Sequence, residues 1–299
     1  MIKPPALIKG DKIGFAAPAR KITSEEIAKS LEIIQSLGFT PVYDQLLFAE
    51  EHQFAGTDRK RVRLMQQMLD NADIKAVFSA RGGYGSVRII DLLDFSTFKK
   101  QLKWLVGYSD FTVFHSHVNR LYGIQTLHAS MPVNFGDTTQ EALDGLFDVL
   151  QGKVPEYQME KHPLNQKGIT EGILTGGNLS VLYSLIGSKS FPETEGKILF
   201  IEDLDEYLYH MDRMMMALSR AGILSGLKGL IVGGMTEMND NKIPFGKTAE
   251  QIISEAVAPY NYPVCFGFPA GHISNNMPLI IGSRIRLDIH EHTQIIFTE

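Results

Sequence analysis

The chain holds a single cysteine, Cys265, among 299 residues. An intramolecular disulfide is therefore impossible and a cysteine-based zinc site is excluded. Basic residues are not in excess either: 29 lysines and arginines face 34 acids, for a formal net charge of −5, with the two signs interspersed. Without a cationic stripe, a nucleic-acid partner and an anionic membrane surface are both disfavoured. No run approaches the ~18 apolar residues of a membrane span. The opening "MIKPPALIKGDKIGFAAPAR" carries prolines and scattered charges and does not read as a signal peptide. A reducing, cytoplasmic location is the expectation. There is no H-E-x-x-H pattern, which disfavours a metallopeptidase. There is no complete P-loop: in "NKIPFGKT", 241–248, Asn241 stands where the first glycine belongs, and Pro244 removes an amide that phosphates need.

What is present is an ordinary globular composition, 44% hydrophobic and 21% charged, long enough for one large domain or two medium ones. In the first half, strand and helix signals alternate. "KIGFAAPA" is a strand entering a turn, and "TSEEIAKSLEIIQSLG" a helix with Thr23 and Ser24 as cap candidates and Gly38 as its stop. "IKAVFSA" is a buried strand, "VRIIDLLDFSTFKK" a helix, "KWLVGYSD" a strand and "FTVFHSHVNRLYG" a helix. This alternation predicts a parallel, helix-covered sheet. From about Phe135 to Gly172 the pattern weakens, which predicts a crossing between domains. The expected division is 1–140, a linker over 141–170, and a more strand-rich second domain over 171–299, ending in an antiparallel pair.

Four segments carry chemistry. In "WLVGYSDFT", Ser109 lies between a strand and a helix. There it either caps the helix or projects a hydroxyl at the sheet's carboxyl edge, with the Asp110 amide beside it. Phe111 replaces the second glycine of a G-x-S-x-G elbow. "RGGYGS", 81–86, is a glycine-rich loop that serves as a tight turn or brings backbone amides to an anion. "KILFIEDLDE" ends a buried strand in Glu202 and Asp203, with Asp205 and Glu206 following. Those acids suit a solvated loop, a magnesium site if a P-loop existed, or the orientation of a histidine. "FPAGHISNN" supplies that histidine, His272. His115 and His117 are two apart on a helix and point to different faces, and His290 and His292 alternate on a terminal strand. Hydroxyl, carboxylate and imidazole are the three roles of nucleophilic catalysis.

In "GDKIGFAAPA", "ARGGYGSVRIIDLLDF", "LVGYSDFTVFH", "LTGGNLSVLYSLIGS", "ILFIEDLDEYLYHMDRMMMALSRAGIL" and "GFPAGHISNNMPLIIG" the chain resembles the serine LD-carboxypeptidases, the muramoyltetrapeptide carboxypeptidase family, which also includes the microcin C self-immunity peptidases. The resemblance implies an N-terminal flavodoxin-like α/β domain and a C-terminal domain of mixed β structure with the site between them. It also implies Ser109 as nucleophile, Glu202 (in preference to Glu206) as orienting acid, and His272 as general base. The amides of Asp110 and Gly83 would form the oxyanion hole, with Arg81 and Tyr84 as candidates to bind substrate. The implied reaction releases terminal D-alanine from murein tetrapeptides in cell-wall recycling, without metal or cofactor. A homodimer is the family's habit. The rival reading is a microcin-type immunity peptidase, whose extra aromatic loop has no counterpart here. A more distant one is a non-catalytic peptide-binding protein. In "TLHASMP", Ala129 and Ser130 replace the Gly and Pro of relatives, altering one wall of the site. Asp110 or Thr112 is expected to cap the helix after Ser109, freeing the serine.

Overall fold

A computed structural model describes residues 1–298. Five short strands, β1 (Lys12–Ala16), β2 (Thr40–Val42), β3 (Ile74–Ser79), β4 (Trp104–Gly107) and β5 (Thr126–His128), pair in parallel in the order 2-1-3-4-5. That is the flavodoxin-like order, whose ligand crevice lies at the carboxyl ends of the strands where the winding reverses. β1, β3 and β4 are neighbours, so the loops that follow them meet at one edge. β3 and β4 are almost wholly buried, as expected of apolar strands covered by helices on both faces.

The second sheet is built from β6 (Glu156–Met159), β7 (Gly168–Asn178), β8 (Ile198–Leu204), β9 (Gly229–Thr236), β10 (Val264–Cys265), β12 (Arg284–Ile289) and β13 (Thr293–Thr298). β7 to β10 run parallel and β12, β13 and β6 antiparallel, so this sheet is mixed. The remaining strand, β11 (Leu279–Ile281), leaves that half of the chain and pairs antiparallel with β5 at the edge of the first sheet. One apolar core joins both halves, with Phe200, Ile231 and Phe268 from the second sheet packed into the cluster that holds Phe15, Phe78 and Trp104. The stretch expected to be a linker, 141–170, contains a helix (Gln140–Leu150) and β6.

Local chemistry sets the helices. The helix Ser24–Ser36 starts at a complete capping box, Thr23 with Glu26. Thr248 of "FGKT" caps the helix Ala249–Val257 in the same way with Gln251, so the partial P-loop is a helix start. The single helix expected over "VRIIDLLDFSTFKK" is instead two short ones, Ser86–Ile89 and Ser96–Lys100. Asp94 accepts the Ser96 amide at 2.8 Å and restarts the second. Among the described residues, no helix is long and apolar enough to cross a membrane.

Candidate active site

β4 ends at Gly107, Tyr108 remains extended, and the backbone then turns sharply at Ser109, which takes φ +61°. A non-glycine residue in the left-handed region stores on the order of 1–3 kcal/mol and tends to mark a functional turn. Phe111 folds back over Gly107, where a β-carbon would stand 2.9 Å from its ring. The turn thus needs its glycine before the serine, and Phe111 fills the space on the other side. Ser109 is half-buried and begins a 3₁₀ turn that leads into the helix Thr112–Tyr122.

The expected capping is not found. The helix Thr112–Tyr122 has no side-chain cap, because both candidates are bonded elsewhere. The Asp110 carboxylate accepts the Ser86 amide at 2.8 Å, and the Gly85 amide also faces it. Burial raises the Asp110 pKa against those bonds and the charge of Arg61. Thr112 Oγ1 accepts the Asn178 amide at 3.0 Å. Asp110 therefore ties the Ser109 turn to the glycine loop, and Thr112 ties it to the second sheet. Arg61, buried, donates to the Gly85 carbonyl at 2.9 Å and completes the clamp on that loop.

Gly82 abuts Ser109 directly: a β-carbon on it would lie 3.2 Å from Ser109 Oγ. Gly83 follows at φ +112°, a conformation that suits glycine. The first amides of a helical turn have no intrahelical partner. The Asp110 amide, directly after Ser109, is such a group, and the Gly83 amide belongs to the loop packed against the same side chain. Arg81 of this loop is in an ion pair with Glu26 at 2.6 Å. Tyr84 is half-exposed and packs on Phe54, with ring centroids 6.2 Å apart.

Glu202 is fully buried near the end of β8, beside an irregularity in the β8–β9 ladder. There the extra residue lies at Gly233–Gly234. The Gly234 amide donates to the Ala270 carbonyl at 2.9 Å, and a β-carbon on Gly233 would stand 2.5 Å from that oxygen. Two glycines in β9 thus admit the loop that carries His272. That loop is fixed further by Asn276, whose Oδ1 accepts the Gly271 amide at 2.8 Å. His272 Nδ1 lies 2.8 Å from Glu202 Oε2. A bond to an ionised carboxylate assigns the proton to Nδ1 and leaves Nε2 as the lone-pair nitrogen. Burial pulls the His272 pKa down. The charge and hydrogen bond of Glu202, with Asp203 and Glu237 behind, outweigh it and leave the pKa raised. Glu206, the other carboxylate considered, pairs with His210 at 2.6 Å. Asp203 accepts from Asn178 at 2.9 Å and from the Ser180 amide at 2.8 Å. Burial and the charge of Glu202 push it up to about 7.

The two halves meet at Tyr108, whose ring packs edge-on against His272 with centroids 4.9 Å apart. Ser109 is the next residue in the chain, and Glu202 is bonded to the imidazole on its buried side. Among the described residues, no hydrogen bond joins Ser109 to His272. In unliganded enzymes such contacts often close only when substrate binds. His115 is spent on structure: Nε2 bonds the Gly107 carbonyl at 2.8 Å, Nδ1 meets Thr126 Oγ1 at 2.9 Å, and burial pushes its pKa down to about 4. His117 bonds Ser190 at 2.8 Å. The sequence reading missed the Tyr108–His272 contact, the Thr112–Asn178 tie and the Asn276 brace. A cluster of hydroxyl and amide residues in "GHISNN" was the only sequence signal for any of them. Among the described residues, no group of acidic, histidine or cysteine side chains is arranged to hold a metal ion.

A parallel sheet followed by a strained serine, joined to a second sheet whose neighbouring loop carries a carboxylate-bound histidine, fits a two-sheet hydrolase of the serine type. Sequence profiles carry the assignment further. The LD-carboxypeptidase N-terminal domain matches residues 13–129, and the LD-carboxypeptidase C-terminal domain matches residues 171–287. The chain is 32% identical to the probable murein peptide carboxypeptidase of Bacillus subtilis (strain 168), over 98% of this chain and 94% of that one. It is 25% identical to the microcin C7 self-immunity protein MccF of Escherichia coli, over 98% and 94%. Its fold superimposes on the crystal structure of muramoyltetrapeptide carboxypeptidase from Oxalobacter formigenes with a TM-score of 0.88 at 28% identity, covering 96% of this chain and 99% of that one. The chain belongs to the LD-carboxypeptidase family and is a serine-type peptide hydrolase.

Proposed function

We propose that this enzyme cleaves the bond between the L-configured centre of the third residue and the terminal D-alanine of murein tetrapeptides. The observation that carries the reading is the 2.8 Å bond from His272 Nδ1 to buried Glu202, across from Ser109 at its left-handed turn. In this scheme His272 Nε2 takes the Ser109 proton as Oγ attacks the scissile carbonyl carbon. The amides of Asp110 and Gly83 hold the tetrahedral oxyanion, each donor worth about 3–4 kcal/mol of barrier. His272 then passes its proton to the departing amine of D-alanine, leaving an ester on Ser109. A water deprotonated by His272 attacks that ester, the tripeptide leaves as a carboxylate, and Ser109 regains its proton. Glu202 fixes the imidazole tautomer and balances its transient charge.

A pocket of about 310 Å³ beside His272 supports the choice of substrate. It is lined by Tyr108, Ser130, Asn134, Asp137, Thr138 and Ser274. Its one carboxylate among the described residues, Asp137, suits an ammonium on the third residue, lysine or diaminopimelate, and disfavours a phosphate. Ser130 adds a hydroxyl to that wall. The cell-wall recycling role in the cytoplasm is part of the same proposal; Cys265, single and buried, needs no oxidising compartment.

The test is to incubate the protein in parallel with murein tetrapeptide and with an aminoacyl sulfamoyl nucleoside, and to follow both by mass spectrometry. Release of D-alanine and tripeptide from the first, at a kcat/KM well above turnover of the second, supports the reading. The reverse preference assigns the chain to the immunity branch.

A further inference from the structure

A carboxypeptidase must recognise a free terminal carboxylate, and cations surround the glycine loop beside Ser109. Most of them are already engaged. Arg81 is paired with Glu26 at 2.6 Å, Arg88 with Asp58 at 2.8 Å and Lys21 with Glu50 at 2.9 Å, and buried Arg61 also reaches Asp58. Arg20 differs. Among the described residues it makes no ion pair, and it is exposed.

Its position is specific. Arg20 follows β1, the neighbour of β3 in the sheet, so it leaves the same carboxyl edge as the glycine loop and Ser109. Its amide donates to the Gly82 carbonyl at 3.4 Å. Its stem lies on Gly83, where a β-carbon would stand 2.1 Å from Arg20 Cδ. Gly83 therefore has to be glycine for a second reason, to let this side chain cross. Gly82, one residue back, touches Ser109. The Arg20 stem thus rests on the glycine loop that touches Ser109, and the residue is exposed to solvent there.

In a substrate with one residue beyond the scissile bond, only a nitrogen and an α-carbon separate the attacked carbonyl from the terminal carboxylate. The carboxylate therefore falls close to the loop that touches Ser109, and among the described residues Arg20 is the cation without an ion pair on that loop. We infer that Arg20 binds the terminal carboxylate of the substrate, as a specificity-determining residue that makes the enzyme a carboxypeptidase and not an endopeptidase. The inference rests on the proposed Ser109 site. A planar fork presents two parallel donors to a carboxylate, which a lysine ammonium reproduces only in part.

The experiment compares wild type, Arg20→Ala, Arg20→Lys and Arg81→Ala on two substrates, murein tetrapeptide with a free carboxylate and the same peptide as its C-terminal amide. Arg20→Ala is expected to raise KM for the free acid by about 10- to 100-fold, as loss of a charge-assisted bond predicts. The acid-over-amide preference in kcat/KM should fall by a similar factor, with Arg20→Lys intermediate. Loss of loop packing alone would lower both substrates together and leave the preference intact, which would overturn the inference. So would Arg20→Ala with wild-type KM, or a loss of preference confined to Arg81→Ala. Wild type that cleaves neither peptide contradicts the proposed function and removes the inference with it. Active wild type with an unchanged Arg20→Ala contradicts Arg20 alone.

Discussion

Gly271 lies so close to Glu202 that a β-carbon built on it would stand 2.6 Å from Oε2, the carboxylate oxygen that binds His272. The residue also holds φ +117°. Both facts forbid a side chain there. Gly271→Ala is expected to keep the fold, since the displaced segment is a loop, but to push the histidine off its acid and lower kcat by about 100-fold or more. Circular dichroism with steady-state kinetics checks this. A variant with wild-type kcat would show that the close approach is dispensable.

The turn at Ser109 makes stability and chemistry oppose each other. Ser109→Ala keeps the left-handed backbone and loses the hydroxyl. Ser109→Gly relieves the backbone as well and should be more stable than Ser109→Ala by roughly 1 kcal/mol. That corresponds to about 2 °C in thermal midpoint for a chain of this size. Both variants should be inactive. Calorimetry giving the alanine variant the higher midpoint would contradict the strained turn.

The titration of His272 has a definite sign. Its folded pKa is raised above the ordinary 6.5 because Glu202 outweighs burial, so the neutral base is lost as pH falls through that raised value. The acid limb of kcat/KM should therefore lie above pH 6.5. Glu202→Gln removes the charge and leaves the burial, so the limb moves to lower pH while the plateau drops by roughly 10²–10⁴-fold. A limb that stays in place in Glu202→Gln would contradict a proton-accepting role for His272 tuned by Glu202.

Among the described residues, Asp137 is the one carboxylate lining the pocket beside His272. Asp137→Asn should raise KM about 5- to 10-fold for a tetrapeptide with an ammonium on its third residue. Replacing that residue with norleucine should abolish the difference. Equal effects on both peptides would mean that Asp137 shapes the wall without reading charge.

Much of this was legible in the chain itself, and the exceptions have physical causes. Strand–helix alternation foretold the parallel sheet, because apolar runs such as "IKAVFSA" suit a strand covered on both faces. It did not foretell β11. Three apolar residues, Leu279–Ile281, carry no mark of which sheet edge they will join. The strip between the halves looked irregular because its one helix is flanked by turns, though Leu143, Leu146 and Phe147 bury themselves in the core. Ser109, Glu202 and His272 stood out as residue types at element ends. The capping role given to Asp110 and Thr112 followed a sound local rule, but longer-range partners, Ser86 and Asn178, took both side chains. Arg20 was invisible, since its interest lies in which neighbouring cations are already paired.

The central claim, that Ser109 is the nucleophile of a D-alanine-releasing carboxypeptidase, is tested most directly by D-alanine release from murein tetrapeptide, with wild type and Ser109→Ala assayed side by side by mass spectrometry. Wild type is expected to give stoichiometric D-alanine and tripeptide, and Ser109→Ala a rate at least about 10³-fold lower. Equal release by the two proteins, or none by wild type, would contradict it.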